Sequence, residues 1–289
     1  MKKKILITGA NGQLGNEIQK LASVYPLLEF FPTDVDTLNL CNREDIESFL
    51  IKNPMDYIVN CAAYTAVDKA EDDVEICYKI NRDAVQNIAE SAKAQTRIIH
   101  ISTDYVFDGS GKTPLKESDQ TNPQSVYGKS KLAGEEILMK IKPESIIIRT
   151  AWLYSSFGNN FVKTMIRLGK ERDSINVVND QIGTPTYAAD LAKAILDIIL
   201  WSEENNVFPA GIYHYSNEGI CSWYNFALKI HELAGITAGK LHPIPTSEYP
   251  TKAKRPMYSV LDKTKIKSTF QIQIPEWSES LNKCINIIK

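Results

Sequence analysis

The stretch SVYGKSKLAGEE, residues 125–136, places a phenol and an ammonium four residues apart. The stretch otherwise has helical spacing, and residues at i and i+4 share one face of a helix, so Tyr127 and Lys131 are expected to be neighbours. A nearby cation lowers the pKa of a tyrosine from its usual value of about 10, which suits a general acid. Taken alone, the pair is also consistent with a simple solvated contact.

A glycine-rich turn near the start of the chain could bind a dinucleotide. ITGANGQLGNEI places Gly9, Gly12 and Gly15 between an apolar run and a helical pattern, with the spacing G-x-x-G-x-x-G. Glycine permits positive φ and close approach of a pyrophosphate, and the N-terminus of the following helix offers N–H groups and a favourable dipole. We predict a dinucleotide site here; the alternative is a purely structural tight turn.

Asp34 closes the second apolar run, 19 residues after Gly15. A carboxylate at this place can accept hydrogen bonds from the adenosine ribose hydroxyls, which favours NADH. No Lys or Arg lies within residues 9–15 to meet a 2′-phosphate. Because Asp34 could instead be a turn residue in TDVD, both NADH and NADPH stay open.

The elements that must position these residues alternate in the first half of the chain. Helical patterns separate five short apolar runs, KKILITG, LEFFPTD, DYIVNCAA, TRIIHIS and ESIIIRT. Strands this apolar predict a parallel sheet covered on both faces, and right-handed crossovers make it doubly wound and Rossmann-type. We predict an α/β fold with a dinucleotide-binding core over residues 1–150.

The second half of the chain has a looser rhythm. Strand patterns occur in SINVVND and GIYHYSN, and helical patterns in AADLAKAILDIIL, SWYNFALKIHELAG and WSESLNKCINIIK, with loops rich in Pro, Thr and Asn between them. Loops beyond strand ends build substrate sites in α/β proteins. We predict a smaller C-terminal substrate-binding lobe over residues 151–289, interleaved with the last strands and helices of the core.

Composition and charge argue against several classes of protein. The 289 residues carry a formal net charge of -2, which gives no electrostatic case for nucleic acid or an anionic membrane. The first apolar run is too short for a signal peptide, and later ones fall short of a membrane span. Five cysteines without C-x-x-C spacing indicate buried thiols in a reducing compartment, and His100 is expected to be a core residue. We therefore expect a cytoplasmic protein.

The combined motifs resemble the extended short-chain dehydrogenase/reductase superfamily over essentially the whole chain. The glycine turn and Tyr-x-x-x-Lys alone identify only that superfamily. A narrower resemblance, to the dTDP-4-dehydrorhamnose reductase family, is carried by GANGQLG, VNCAAYTAVDKAE, STDYVFDG, YGKSKLAGE, RTAWLY, NNFVKTM, VVNDQIGTPT and the pair Arg255-Pro256. It implies that NADH or NADPH reduces the C4 keto group of a dTDP-sugar, dTDP-4-dehydro-L-rhamnose, to give dTDP-L-rhamnose.

With this resemblance, roles can be predicted for individual residues. The catalytic group would be Thr103, Tyr127 and Lys131. The residues predicted to hold the cofactor are Gly9, Asn11, Gly12, Gln13, Leu14, Gly15, Asp34, Asn39, Leu40, Ala62, Ala63, Tyr64, Thr65, Ser102, Tyr127 and Lys131. Those predicted to contact the substrate are Thr103, Asp104, Trp152, Asn160 and Arg255.

Several of these side chains have a structural alternative. Trp152 could stack on the sugar or pack in the core, and Asn160 could face the nucleotide or cap a helix. Arg255 could hold the substrate diphosphate with two parallel hydrogen bonds, or lie in a solvated basic loop. Arg149 is expected to be structural, bound to carbonyl groups at a strand end.

Metal binding and oligomerisation rest on the resemblance alone. Some members of the family bind Mg²⁺ through acidic residues at a dimer contact. The corresponding regions here contain Glu17, Asp190, Glu276 and Glu279, but the C-terminal pattern departs from the one expected. Mg²⁺ and a homodimer therefore stay open, and the metal site is unknown.

Two other functions are compatible with the motifs. One is a different nucleotide-sugar reductase, epimerase or dehydratase of the same superfamily. A dehydratase normally has Asp-Glu after the strand-end Thr, whereas Thr103 is followed by Asp104-Tyr105. The other is a non-catalytic NAD(P)-binding regulatory subunit, which could dispense with the Tyr-x-x-x-Lys pair that is intact here.

Overall fold

A six-stranded parallel sheet forms the centre of the computed structural model, which describes residues 2–289. The first half of the chain contributes strands β1 (Lys3–Thr8), β2 (Leu28–Thr33), β3 (Tyr57–Asn60), β4 (Arg97–Thr103) and β5 (Ile146–Thr150). Its helices are α1 (Gln13–Lys20), α2 (Arg43–Lys52), α3 (Val74–Tyr78), α4 (Ala84–Ser91) and α5 (Val126–Ile141). All five predicted strands of this half are confirmed.

The second half contributes shorter strands and longer helices. The strands are β6 (Leu153–Tyr154), β7 (Ser174–Val178), β8 (Ile182–Gly183), β9 (Thr186–Tyr187), β10 (Gly211–His214), β11 (Cys221–Ser222) and β12 (Lys240–Ile244). The helices are α6 (Phe161–Glu171), α7 (Ala188–Asn205), α8 (Trp223–Ala234), α9 (Thr264–Phe270) and α10 (Trp277–Ile288). Within residues 2–289, none of the helices has the length and apolarity to cross a membrane.

The strand order of the central sheet is β10-β5-β4-β3-β1-β2, and every pairing is parallel. The chain thus builds outward from β1 in both directions, which confirms the doubly wound prediction. Connections leave opposite faces on the two sides of such a switch point, so a crevice opens beyond the carboxyl ends of β1 and β3. Pro32 is tolerated in β2 because β2 is an edge strand.

The second half also supplies small two-stranded ladders that pair β7 with β12, β8 with β11, and β6 with β9. A second apolar cluster, centred on the fully buried Phe226, packs beneath them. Strand β12 was not predicted, because KLHPI contains a proline and is mostly exposed. Strand β10 returns to the central sheet, so the two halves interleave; the boundary at residue 150 stays a prediction.

The helix predicted over residues 73–94 is interrupted. A π turn at Lys79–Asp83 separates α3 from α4 and directs the fully buried Asn81 inward. The Asn81 amide accepts a hydrogen bond from the Tyr64 backbone N–H at 2.9 Å and donates to the Ser130 hydroxyl at 2.9 Å. Turns of this kind often occur at functional sites, and this one ties the loop after β3 to α5.

A buried ion pair fixes α5 against the sheet. Arg149 donates from Nη2 to Glu135 Oε2 at 2.6 Å and from Nε to Oε1 at 3.0 Å, and both side chains are almost fully buried. The same carboxylate accepts a hydrogen bond from the Ser102 hydroxyl at 2.5 Å. The expectation that Arg149 binds carbonyl groups is therefore wrong, because its guanidinium pairs with the Glu135 carboxylate of α5.

We predict that Arg149→Met lowers the free energy of unfolding by about 3–5 kcal/mol, because it leaves the Glu135 charge buried and unpaired. Denaturant titration followed by circular dichroism measures this. Arg167→Met is the control, since the pair of Arg167 with Glu171 is more than half exposed and should contribute less than about 1 kcal/mol. Equal losses of unfolding free energy in the two variants would contradict the stabilising role given to the buried pair of Arg149 with Glu135.

Candidate active site

A cleft of about 970 Å³ lies beyond the carboxyl ends of the parallel strands. Its walls come from the segments that follow β1, β2, β3, β4 and β5, together with the start of α5. The cleft therefore occupies the switch point of the doubly wound sheet, where ligands bind in this class of fold. Its volume lies at the upper end of the range for small-molecule and cofactor sites.

The glycine turn after β1 shapes one end of the cleft. Gly9 has φ of 63°, and a Cβ atom there would lie 2.8 Å from Ala62 Cα, so only glycine keeps this space clear. No side chain caps the N-terminus of α1, which leaves its first N–H groups available to an anion. Asp34 lies beside the turn, where its Oδ2 accepts a hydrogen bond from Asn11 N at 2.9 Å. These features fit the pyrophosphate and ribose of a dinucleotide.

All the predicted cofactor residues except Tyr64 line the cleft. Tyr64 points elsewhere: its hydroxyl donates to Asp73 Oδ2 at 2.8 Å. Among the predicted substrate residues, Thr103, Asp104, Trp152 and Asn160 line the cleft, and Arg255 does not. The Arg255 guanidinium instead contacts Asp68 at 2.5 Å and the Tyr105 hydroxyl at 3.2 Å.

Tyr127 lies in the first turn of α5, which begins where the Ser125 hydroxyl accepts a hydrogen bond from Gly128 N at 3.1 Å. Burial raises the pKa of Tyr127 well above its usual value, and the neighbouring Thr103 hydroxyl opposes that rise. The sequence spacing instead predicted a pKa lowered by Lys131. The net shift is upward instead, because burial is its largest cause and the Lys131 ammonium is directed at the neighbouring strand.

The Lys131 ammonium is almost fully buried and donates to the Ile101 carbonyl at 2.7 Å. His100 Nε2 lies 3.3 Å from it, and His100 Nδ1 lies 3.0 Å from the Asn60 amide nitrogen. Asn60 Oδ1 is already occupied by the Thr8 hydroxyl and Ala62 N–H. The Asn60 nitrogen must therefore donate to His100 Nδ1, which places the ring proton on Nε2.

This tautomer leaves Lys131 with one strong acceptor, Ile101, and its other N–H groups available to a ligand in the cleft. Burial lowers the pKa of Lys131 to about 8 and that of His100 well below its usual value, so the imidazole is neutral. The expectation that His100 is a core residue is confirmed, since it is fully buried.

The side chain of Asp104 extends the hydrogen bonding beside Tyr127. Thr103 Oγ1 donates to Asp104 Oδ1 at 3.0 Å, and Asp104 is 2% exposed. Burial raises the pKa of this carboxyl to about 6, against opposing hydrogen bonds from Ser259 and Thr103. Tyr105, which was not predicted, also lines the cleft and packs edge-on against Tyr127 with ring centroids 5.5 Å apart.

Trp152 and Asn160 have the structural roles that were weighed as alternatives, and both also line the cleft. Trp152 lines the cleft with φ of 47°, and its ring is stacked on Trp223 with centroids 3.6 Å apart. Asn160 caps α6 by accepting from Lys163 N at 3.1 Å, and donates to Gln13 Oε1 at 2.9 Å. The packing and capping roles are therefore present, and contact with a substrate stays a prediction for both.

Two of the four acidic residues considered for Mg²⁺, Glu17 and Asp190, have other partners in the structure. Glu17 accepts from the Ser155 hydroxyl at 2.5 Å, and Asp190 accepts from Asn217 at 2.7 Å and from Ser280 at 2.5 Å. Across residues 2–289, no three His, Cys, Asp or Glu side chains are grouped in a way that could hold a metal ion. Mg²⁺ binding stays a prediction.

Comparison with known proteins assigns the family. The model of the family described as "RmlD substrate binding domain" matches residues 2–289. A dTDP-4-dehydrorhamnose reductase of Aggregatibacter actinomycetemcomitans is 43% identical over 285 residues, which cover 96% of this chain and 97% of the relative. The chain belongs to the dTDP-4-dehydrorhamnose reductase family.

Solved structures of the reductase family have the same fold as this chain. A dTDP-4-dehydrorhamnose reductase from Clostridium acetobutylicum superposes with a TM-score of 0.92 at 48% identity, with 99% of each chain covered. A dTDP-4-dehydrorhamnose reductase from Bacillus anthracis, solved in complex with NADP, gives a TM-score of 0.91 at 38% identity, again with 99% of each chain covered. The Rossmann-type fold predicted from the sequence is thereby confirmed.

We predict that NADPH affinity weakens as pH rises through about 8. The protonated Lys131 ammonium offers N–H groups to the cleft, and its lowered pKa means that the charge is lost above that pH. Fluorescence titration of NADPH between pH 7 and 9.5 measures the effect. Lys131→Met should bind more weakly at pH 7 and show no such step, so an unchanged step in Lys131→Met would exclude Lys131 as the titrating group.

Proposed function

We propose that this protein reduces the C4 keto group of dTDP-4-dehydro-L-rhamnose to dTDP-L-rhamnose, with NADPH or NADH as reductant. The observation that carries the proposal is that Thr103, Tyr127 and Lys131 line the same cleft as the glycine turn. Membership of the reductase family and the names of the relatives supply the substrate. The NADP complex of the Bacillus anthracis relative supports a nicotinamide cofactor.

The reaction needs one hydride at the C4 carbon and one proton at its oxygen. The reduced nicotinamide, when bound, supplies the hydride. Because burial raises the pKa of Tyr127, the phenol keeps its proton at neutral pH until the carbonyl oxygen becomes alkoxide-like and more basic than the phenolate. Tyr127 then donates that proton, and Thr103 aligns the same oxygen with its hydroxyl.

Lys131 has two roles in this proposal. Its available N–H groups hold the nicotinamide ribose, and its charge, one helical turn from Tyr127, stabilises the phenolate left after proton transfer. The Ile101 carbonyl keeps the ammonium in place. Asp104, Trp152 and Asn160 are proposed to contact the sugar nucleotide from the walls of the cleft.

The other expectations drawn from the resemblance complete the proposal. Residues 1–150 are proposed to bind the cofactor, and residues 151–289 to complete the substrate side. Localisation in the cytoplasm, a homodimer and a contribution of Mg²⁺ stay predictions. Sedimentation analysis with and without EDTA, with turnover measured in parallel, addresses the last two.

We predict that Tyr127→Phe lowers kcat by about 10²–10⁴-fold and leaves the dissociation constant of NADPH unchanged. The ring still packs, and only the transferable proton is lost. Loss of NADPH absorbance in the presence of dTDP-4-dehydro-L-rhamnose measures turnover, and Tyr224→Phe in α8 is the matched control. A Tyr127→Phe enzyme with more than half of wild-type kcat would remove Tyr127 from the mechanism.

The same assay separates the proposal from its rivals. Cofactor binding with no turnover of the dTDP-sugar would support a regulatory subunit. Turnover that yields an epimer or a dehydrated sugar instead of the C4 alcohol would support another nucleotide-sugar enzyme. Product identification by mass spectrometry and NMR decides between these outcomes.

A further inference from the structure

A loop late in the chain crosses from the substrate side to the cofactor side of the molecule. We call residues 249–258 the strap, and residues 66–73, which it contacts, the counter-loop. Lys252 pairs with Asp72, and Ala253 N donates to Asp68 Oδ1 at 3.2 Å. Arg255 Nη2 donates to Asp68 Oδ2 at 2.5 Å. Asp68 thus receives both a backbone and a guanidinium donor from the strap.

Of the two strap cations that contact the counter-loop, Arg255 is the better placed to hold neighbouring residues in position. The Lys252–Asp72 pair is about 60% exposed on both sides, and such surface pairs contribute little. The Arg255 side chain is 26% exposed and has two partners at once, because Nη1 also donates to the Tyr105 hydroxyl at 3.2 Å. A planar guanidinium with two fixed partners defines an orientation that a lone ammonium cannot.

Tyr105 connects this contact to the general acid. Its ring packs against Tyr127 at an interplanar angle of 74°. Its carbonyl lies against the helix residue that follows Tyr127, since a Cβ atom on Gly128 would be 2.3 Å from Tyr105 O. The ring and the backbone of Tyr105 therefore both bear on the first turn of α5, so displacement of Tyr105 must displace Tyr127.

The counter-loop provides a second connection to the same helix. Glu71 accepts a hydrogen bond from Val126 N, at the first residue of α5, at 2.9 Å. The far end of the strap is fixed, because Pro256 packs so closely on Gly109 that a Cβ there would lie 2.4 Å from Pro256 Cα. Tyr258 N also donates to Gly109 O at 3.1 Å. The strap is thus anchored at Gly109 and connects to α5 through Tyr105 and the counter-loop.

We propose that Arg255 is a positioning residue for the reductase reaction, holding Tyr105 and the counter-loop so that Tyr127 is correctly placed. This inference rests on the proposed function. It assigns Arg255 a role different from the diphosphate contact predicted from sequence, in keeping with its place outside the cleft lining. The two roles differ in which kinetic constant they affect.

Arg255→Ala and Tyr105→Phe, alone and together, test the proposal. Misplacement of the general acid should lower kcat about 10- to 100-fold in Arg255→Ala, with the KM for the dTDP-sugar and the dissociation constant of NADPH changed less than about threefold. Tyr105→Phe should lower kcat by a smaller factor than Arg255→Ala. The double variant should be no slower than Arg255→Ala, because both substitutions remove the same hydrogen bond between Arg255 and Tyr105. Asp68→Asn keeps an acceptor for Ala253 N and should behave like Tyr105→Phe.

Lys252→Ala is the matched control and should retain wild-type kcat. Should Arg255→Ala fold poorly by circular dichroism, Arg255→Lys and Tyr105→Phe give the same comparison, and both should lower kcat. A rise in the KM for the dTDP-sugar at unchanged kcat, with Asp68→Asn silent, would make Arg255 a direct diphosphate ligand and overturn the proposal. Additive losses in the double variant would also overturn it. Absence of turnover in the wild type would instead refute the proposed function.

Discussion

The site depends on the hydrogen bond that the buried Lys131 ammonium donates to the central sheet. A charge removed from water is costly unless it is paired or hydrogen-bonded, and here its strong acceptor is the Ile101 carbonyl on β4. This hydrogen bond can form only when α5 has one position along β4 and one rotation about its own axis. Asn60 fixes the neutral tautomer of His100 next to it. The position of the helix, and with it that of Tyr127, is therefore set by a polar contact beneath the cleft.

A polar stripe along α5 extends this constraint. Tyr127, Lys131 and Glu135 follow one another at intervals of four residues, so they lie on one face of the helix. The last two have partners on the sheet: Ile101 for the ammonium, and Arg149 with Ser102 for the carboxylate. A helix that buries polar groups in this way tolerates little sliding, because any shift leaves one of them unsatisfied.

Local patterns predicted much of the fold and most of the cleft. The five apolar runs became β1 to β5, and the glycine turn, Asp34, Thr103 and Tyr127 meet because parallel strands end at one edge of a sheet. Features fixed by contacts distant in sequence were not predictable. The Glu135 partner of Arg149, the π turn around Asn81 and the pairing of Asp68 with Arg255, 187 residues apart, leave no periodic signal. The raised pKa of Tyr127 was not predictable either, since i, i+4 spacing does not reveal how deeply the phenol is buried.

The most direct test of the proposed C4 reduction is to follow the transferred hydride. NADPH carrying deuterium at the transferable C4 position would be incubated with the protein and dTDP-4-dehydro-L-rhamnose, and the product sugar examined by NMR and mass spectrometry. Hydride transfer from NADPH to the C4 carbonyl should leave one deuterium at C4 of the sugar for each NADPH oxidised. Oxidation of NADPH without deuterium at that carbon, or a bound cofactor that is not oxidised, would contradict it.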